Sequence, residues 1–125
     1  MKKLLIVDDE KDVCNFAKSF FQGKNLNVFC ALSGEDAIPI IEKERPNIVI
    51  LDIKMKGISG IDVLKKIKEI DPKIDVIMVT ALDDINLMEE AKKLGASDYI
   101  TKPLVLEELE KRISERVAKF SGARK

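Results

Sequence analysis

Three aspartates stand directly after short, wholly apolar runs of the sequence. Asp8 and Asp9 follow Leu4–Val7, and Asp52 follows Ile48–Leu51. Such runs are typical of strands covered on both faces of a parallel sheet, whose carboxyl ends meet at one edge. An aspartate there is often a helix N-cap, but clustered carboxylates repel one another unless a cation compensates them. Their oxygens are hard ligands, so the three residues predict a site for Mg²⁺, with Mn²⁺ as an alternative.

A hydroxyl and an ammonium group follow two further strand-like segments. Thr80 and Ala81 come after Val76–Val79, and Lys102 comes shortly after Ser97–Ile100. Lys102 and a divalent cation would together balance the three carboxylates, and such a neutral pocket can accept a phosphoryl group. A carboxylate is a competent covalent acceptor of phosphate. We therefore expect Lys102, the Thr80 hydroxyl and the backbone N–H of Ala81 to contact phosphoryl oxygens.

The composition removes several other chemistries. The chain has 125 residues, with 22 Lys and Arg against 22 Asp and Glu, and it contains no histidine. The balanced charge argues against DNA or an anionic membrane as the main partner. Without histidine there can be no Ser/His/Asp triad, no His-ligated metal and no imidazole acid–base catalysis. The longest apolar run, Val28–Leu32, is too short to span a membrane, so we expect a cytoplasmic protein.

The two cysteines do not have the spacing of a redox or zinc motif. Cys14 and Cys30 each stand among apolar residues. We interpret them as small, reduced residues of the core.

Amphipathic helical patterns fill the gaps between the strand-like runs. Ser33 and Ser59 stand at predicted N-caps, each with an aspartate three positions later that completes a capping arrangement. Gly95 has the position of a glycine that ends a helix. Pro39 falls inside the second helix, where it removes a backbone donor, so we expect a kink or an early break near Ile38.

This alternation predicts one α/β domain, a three-layer, doubly wound (βα)₅ fold of flavodoxin-like topology. The buried strands 1, 3 and 4 leave strands 2 and 5 at the edges, so the parallel five-stranded sheet has the order 2-1-3-4-5. We expect the domain to span residues 1–120, with 121–125 as a C-terminal tail or the start of a linker. The topology places a ligand site between strands 1 and 3, where Asp8, Asp9 and Asp52 stand.

The chain resembles a response-regulator receiver domain of two-component signal transduction, a CheY-like domain. The likeness runs from about residue 3 to about residue 117, and its motifs are VDDE at 7–10, LD at 51–52, MKGISG at 55–60, TA at 80–81 and GASDYITKP at 95–103. This resemblance implies that Asp52 is the phosphoacceptor. It also implies that Asp9 and Asp52 bind Mg²⁺ together with the backbone carbonyl of Lys54, while Asp8 acts through a bound water.

The same resemblance implies a phosphorylation-activated switch rather than a turnover enzyme. A histidine kinase or phosphotransfer protein would donate the phosphoryl group, and the domain would assist its own phosphorylation and autodephosphorylation. Thr80 and Tyr99 would be the switch pair, changing the surface of helix 4, strand 5 and helix 5 that a downstream partner, a linked output domain or a second copy of the chain reads. From its own position alone, Tyr99 is more typical of an edge aromatic that covers the sheet.

Three other functions fit parts of the pattern. A receiver-like interaction module that works without phosphorylation would need none of the five site residues Asp8, Asp9, Asp52, Thr80 and Lys102. A haloacid-dehalogenase-type phosphatase would want a second aspartate where Lys54 stands, and a cap domain. A flavin-binding relative of the same topology would want a first loop rich in free N–H groups rather than acidic residues.

Overall fold

Strands and helices alternate along the whole described chain. The computed structural model describes residues 2–24, 26–80, 85–102 and 105–122. The elements are β1 Lys2–Val7, α1 Lys11–Gln22, β2 Leu26–Ala31, α2 Gly34–Glu44, β3 Ile48–Asp52, α3 Gly60–Ile70, β4 Asp75–Thr80, α4 Ile85–Lys93, β5 Asp98–Thr101 and α5 Leu106–Gly122. The five strands form one parallel sheet in the order β2-β1-β3-β4-β5. The predicted (βα)₅ fold and its edge strands are confirmed.

The sheet has a helical layer on each face. Alternate residues of a strand point to opposite faces, and the strands that lie inside the sheet are apolar on both. The core on one face joins the sheet to α2, α3 and α4 and includes Leu5, Val7, Ile41, Leu51, Ile67 and Ala91. The core on the other face joins the sheet to α1 and α5 and includes Leu4, Ile6, Phe21, Ile50, Leu109 and Ile113.

Local capping bonds fix where two of the helices begin. The Ser33 hydroxyl accepts from the Asp36 N–H at 3.0 Å, and the Ser59 hydroxyl accepts from the Asp62 N–H at 3.2 Å. These bonds satisfy backbone donors that have no partner within a helix. Gly95 follows α4 with φ +104°, the left-handed conformation expected of a glycine at a helix end.

The second helix does not break at Pro39, so that part of the prediction is wrong. α2 is continuous from Gly34 to Glu44. Pro39 is exposed, whereas Ala37 and Ile41 on either side of it are fully buried. Pro39 therefore lies on the solvent face of α2, where water can take the place of the backbone N–H that proline lacks. Burial of the opposite face, with Ala37 and Ile41, holds the helix together.

The last helix extends slightly beyond the domain boundary expected at residue 120, since α5 reaches Gly122. Within the described residues, we find none of the long apolar helices that crossing a membrane would require.

Candidate functional site

The carboxyl edge of the sheet brings Asp8, Asp9 and Asp52 together. Asp8 and Asp9 follow the end of β1, and Asp52 is the last residue of the neighbouring β3. One carboxylate oxygen from each lies within 4.8 Å of those of the other two. Asp8 and Asp52 are only 5% and 2% exposed, whereas Asp9 is more exposed than either. Two of three closely spaced carboxylates are thus largely removed from water.

Backbone N–H groups orient two of these carboxylates. The Glu10 N–H donates to Asp8 Oδ1 at 2.9 Å, and the Lys54 N–H donates to Asp52 Oδ1 at 3.2 Å. The Lys56 N–H also lies 3.4 Å from Asp9 Oδ2, which links the loop after β3 to the loop after β1. The two loops therefore fix the direction of the carboxylates from both sides.

Lys102 supplies positive charge to the cluster. Its Nζ lies 2.9 Å from Asp52 Oδ2, forming an ion pair with the buried carboxylate. The Lys102 N–H donates to the Thr80 carbonyl at 2.7 Å, which holds the end of β5 against the end of β4. This ammonium offers one positive charge against three negative ones.

Burial and nearby negative charge make Asp8 and Asp52 reluctant to ionise. Burial raises the pKa of Asp52 above the ordinary range, although the Lys102 ammonium opposes the rise. Burial also raises the pKa of Asp8, and the nearby Asp52 carboxylate adds to the effect, against the Glu10 N–H that lowers it. Burial disfavours the charged form of Lys102, but the carboxylates of Asp52 and Asp8 outweigh it and raise the Lys102 pKa.

The donor set suits a hard divalent cation. All three side chains present carboxylate oxygens in one small volume, and Lys102 alone does not balance their charge. Mg²⁺ and Mn²⁺ prefer oxygen ligands of this kind. The cluster can therefore bind a metal ion.

Thr80 and Tyr99 lie at different distances from the carboxyl edge of the sheet. Thr80 is 2% exposed at the carboxyl end of β4, opposite Thr101 of β5. Tyr99 pairs with Met78, two register positions before that edge. Its half-buried ring packs against the core below α4, and Lys92 Nζ lies 4.6 Å from the ring centroid. The predicted switch pair therefore stands on adjacent strands, with the tyrosine farther from the carboxylates.

Two predicted contacts remain predictions. Ala81, whose N–H is expected to bind a phosphoryl oxygen, lies outside the described residues. Lys54 donates its backbone N–H to the Asp52 carboxylate, and the metal-binding role of its carbonyl stays a prediction.

Gly60 supports the site in a way that the sequence did not reveal. A Cβ atom on this residue would lie 2.3 Å from the Asp52 carbonyl oxygen, closer than any real contact allows. The Gly60 N–H donates to the Ile53 carbonyl at 2.8 Å. The available signal was a glycine directly after the Ser59 N-cap, a position where it is a poor helix former.

Comparison with known proteins agrees with this geometry. The family model of the response regulator receiver domain matches residues 4–114. The chain belongs to this family. The receiver is 38% identical, over 108 residues, to sporulation initiation phosphotransferase F of Bacillus subtilis, covering 86% of the chain and 87% of that protein.

Two further matches are a longer protein and a solved structure of about the same length as this chain. It is 36% identical over 121 residues to the heme response regulator HssR of Staphylococcus aureus, covering 97% of the chain and 54% of that protein. The chain thus spans about half the length of this relative. It also matches the crystal structure of a CheY-like receiver domain protein from Methanospirillum hungatei with a TM-score of 0.92, 27% identity and 98% coverage of both chains.

Receivers of this family work with histidine kinases or phosphotransfer proteins, and they often carry output domains. The chain is therefore a response regulator receiver domain of a two-component system, consistent with a phosphorylation-controlled switch.

Proposed function

We propose that this receiver accepts a phosphoryl group on Asp52 in a reaction that depends on Mg²⁺. The observation that carries the proposal is the buried Asp52 carboxylate, paired with Lys102 at 2.9 Å inside the acidic cluster. A buried carboxylate next to a fixed ammonium is a nucleophile whose product, an acyl phosphate, can be held by the same ammonium.

The proposed step forms one bond and breaks one. A carboxylate oxygen of Asp52 attacks phosphorus, and the bond from phosphorus to the donor atom breaks, leaving its electron pair on the donor. Lys102 then contacts a phosphoryl oxygen, and the Thr80 hydroxyl and the Ala81 N–H complete the set of donors.

The metal would be held by Asp9, Asp52 and the Lys54 carbonyl, with Asp8 acting through a water. When bound, Mg²⁺ supplies positive charge to the phosphoryl oxygens. The uncompensated negative charge of the three aspartates supports this assignment.

Phosphorylation would then change the surface formed by α4, β5 and α5. Thr80 moves toward the phosphoryl group and Tyr99 turns inward, which alters the face that partners read. The position of both residues on neighbouring strands, with Tyr99 packed under α4, supports this route. The receiver acts as a switch and not as a turnover enzyme.

The phosphoryl donor lies outside these 125 residues, because they contain no histidine that could carry a phosphoryl group. A histidine kinase or a histidine phosphotransfer protein fills this role. The reader of the switched surface is a downstream protein, an attached output domain or a second copy of the receiver. A cytoplasmic location stays a prediction.

The test is incubation with acetyl phosphate and Mg²⁺ followed by intact-mass measurement. We expect the gain of one phosphoryl group, which is absent in Asp52→Asn and in the presence of EDTA. Asp36→Asn, an exposed carboxylate on α2, is the matched control and should gain the group as the wild type does. Release of many equivalents of phosphate would indicate a phosphatase instead, and no gain of mass would indicate an interaction module that works without phosphorylation.

A further inference from the structure

The two cysteines of the chain meet between α1 and β2. Cys14 and Cys30 are sixteen positions apart in the sequence, and both are free thiols. Cys30 pairs with Ile6 in the sheet, and the side chains of all three residues belong to the core on the α1 face. The Cys30 Sγ–H donates to the Cys14 carbonyl oxygen at 3.3 Å. The fold thus places the Cys30 sulfur against the backbone of Cys14, although the sequence keeps the two residues apart.

The two thiols differ in exposure. Cys14 is 2% exposed, and its sulfur lies within 4.0 Å of the carbonyl oxygens of Ile6, Asp8 and Ala31. Cys30 is half-buried on the edge strand β2. A small reagent from solvent therefore reaches Cys30 first, with Cys14 directly behind it.

The surroundings of Cys30 also favour its reactive form. A hydrogen bond from the Cys14 thiol lowers the pKa of Cys30, and the positive charge of Lys18 lowers it further against the effect of burial. Thiolates are the nucleophiles in thiol oxidation, and exposure with a resolving cysteine nearby is typical of redox-sensitive pairs. The lowered pKa of Cys30 thus favours the same reaction as its contact with Cys14.

We propose that Cys14 and Cys30 form a redox-sensitive dithiol that a peroxide converts into an intramolecular disulfide between α1 and β2. In the first step the Cys30 sulfur attacks a peroxide oxygen, the O–O bond breaks, and a sulfenic acid and one water form. In the second step the Cys14 sulfur attacks the sulfenic sulfur, the S–O bond breaks, and the hydroxyl leaves as water with the Cys14 proton. Both sulfurs are oxidised, and one hydrogen peroxide is reduced to two waters.

The disulfide would alter the start of α1, which follows Asp8 and Asp9 in the chain. Cys14 lies on the first turns of α1, and its sulfur now contacts the Asp8 carbonyl at 3.7 Å. The disulfide removes that S–H and ties the start of α1 to the edge strand. The redox state of the pair is chemically separate from phosphorylation of Asp52, and its test does not depend on it.

The test is treatment of the reduced protein with hydrogen peroxide, followed by intact-mass measurement and peptide mapping without reductant. We expect the loss of two hydrogens, a cross-link between the peptides of Cys14 and Cys30, and reversal by a thiol reductant. The cross-link should form at least about tenfold faster in the native protein than in concentrated urea, because the fold holds Cys14 and Cys30 next to each other. Added oxygen on Cys30 with Cys14 still reduced, or a disulfide-linked dimer, would overturn the proposal, as would equal rates in urea.

Two single variants separate the roles of the thiols. Cys14→Ser keeps a hydrogen-bond donor for the surrounding carbonyls and should leave Cys30 to accumulate a sulfenic acid. Cys30→Ser should leave the buried Cys14 unreacted under the same treatment. Circular dichroism checks that each variant is folded, and Cys14→Ala replaces Cys14→Ser if the hydroxyl unfolds the chain. Rapid oxidation of Cys14 in folded Cys30→Ser would contradict the assigned order of reaction.

Discussion

The two ends of the sheet both concentrate aspartates, but they compensate them differently. At the amino end, Asp75 of β4 and Asp98 of β5 meet Arg112 and Arg116 of α5. Arg116 Nη2 and Arg112 Nη1 lie 3.4 Å and 2.5 Å from Asp98 Oδ2. Arg116 Nε lies 3.2 Å from Asp75 Oδ2 without aligned hydrogen-bond geometry, so that contact is an ion pair only. At the carboxyl end, Asp8, Asp9 and Asp52 cluster together, and the ammonium of Lys102 pairs with Asp52.

Charge balance distinguishes a structural cluster from a functional one in this fold. Arg112 and Arg116 compensate Asp75 and Asp98 at the amino end, where the network joins β4, β5 and α5, and Arg112 also pairs with the more exposed Glu108 of its own helix. One lysine faces three aspartates at the carboxyl end, and burial raises the pKa of Asp8 and Asp52 there. Clustered carboxylates that the protein leaves uncompensated are prepared for a cation from outside.

The largest expected difference between the ends concerns Lys102. We expect Lys102→Met to slow phosphorylation by acetyl phosphate about 10²- to 10³-fold, since it removes a fixed donor to the phosphoryl oxygens. Intact mass against time gives the rate. Lys65→Met, an exposed lysine on α3, is the matched control. A rate within about threefold of the wild type would mean that Lys102 has no part in the reaction.

At the amino end, Arg116→Met should act on stability and not on phosphorylation. Removing the guanidinium leaves Asp75 and Asp98 short of positive charge. We expect a loss of about 2 to 3 kcal/mol in the free energy of unfolding, below the cost of breaking a fully buried pair because these side chains are slightly exposed. Urea unfolding measures it, with Lys111→Met on α5 as the control. An equally large loss of phosphorylation rate in the folded variant would contradict the division between the two ends.

The raised pKa values at the carboxyl end should also make the free energy of unfolding depend on pH. Because the pKa of Asp8 and of Asp52 is raised by folding, the folded chain holds these protons more tightly than the unfolded chain does. The stability that this provides is fully present below the ordinary aspartate range and is lost as pH rises through the raised values. In EDTA, we expect Asp8→Asn to become progressively more stable than the wild type over that interval. Mg²⁺ should shrink the gap by stabilising the wild type.

Urea unfolding from mildly acid to neutral pH measures this effect. The exposed Asp36 of α2 is the matched control, because Asp36→Asn keeps the backbone N–H that donates to the Ser33 hydroxyl. If the difference in the free energy of unfolding between Asp8→Asn and the wild type does not change with pH, folding does not raise the pKa of Asp8.

The smallest effect concerns the contact that lies between the two ends. The Lys92 ammonium stands over the Tyr99 ring, and Lys92→Met should cost about 0.5 to 1 kcal/mol of stability. Tyr99 is the one tyrosine of a chain without tryptophan, so its fluorescence reports this contact directly. Lys93→Met, the exposed neighbour, should leave the emission unchanged. Identical spectra for wild type and Lys92→Met would argue against the contact.

The sequence alone determined the strands, the sheet order and the three aspartates at the carboxyl edge. It also determined the caps at Ser33 and Ser59, because a capping bond joins residues three positions apart. Apolar runs and capping residues act locally, so their positions in the chain carry the information. The place of Asp52 follows in the same way, since it stands where a buried strand ends.

Only the tertiary structure decided which charges and thiols meet. Lys102 and Asp52 are fifty positions apart, Arg116 and Asp98 are eighteen apart, and Cys14 and Cys30 are sixteen apart. Such pairs depend on which helix crosses which strand and on the side of the sheet that each residue faces. The continuity of α2 through Pro39 also depends on tertiary packing. Burial of the opposite helix face offsets the backbone hydrogen bond that proline removes. Local patterns place residues on elements, and packing of the elements brings distant side chains into contact.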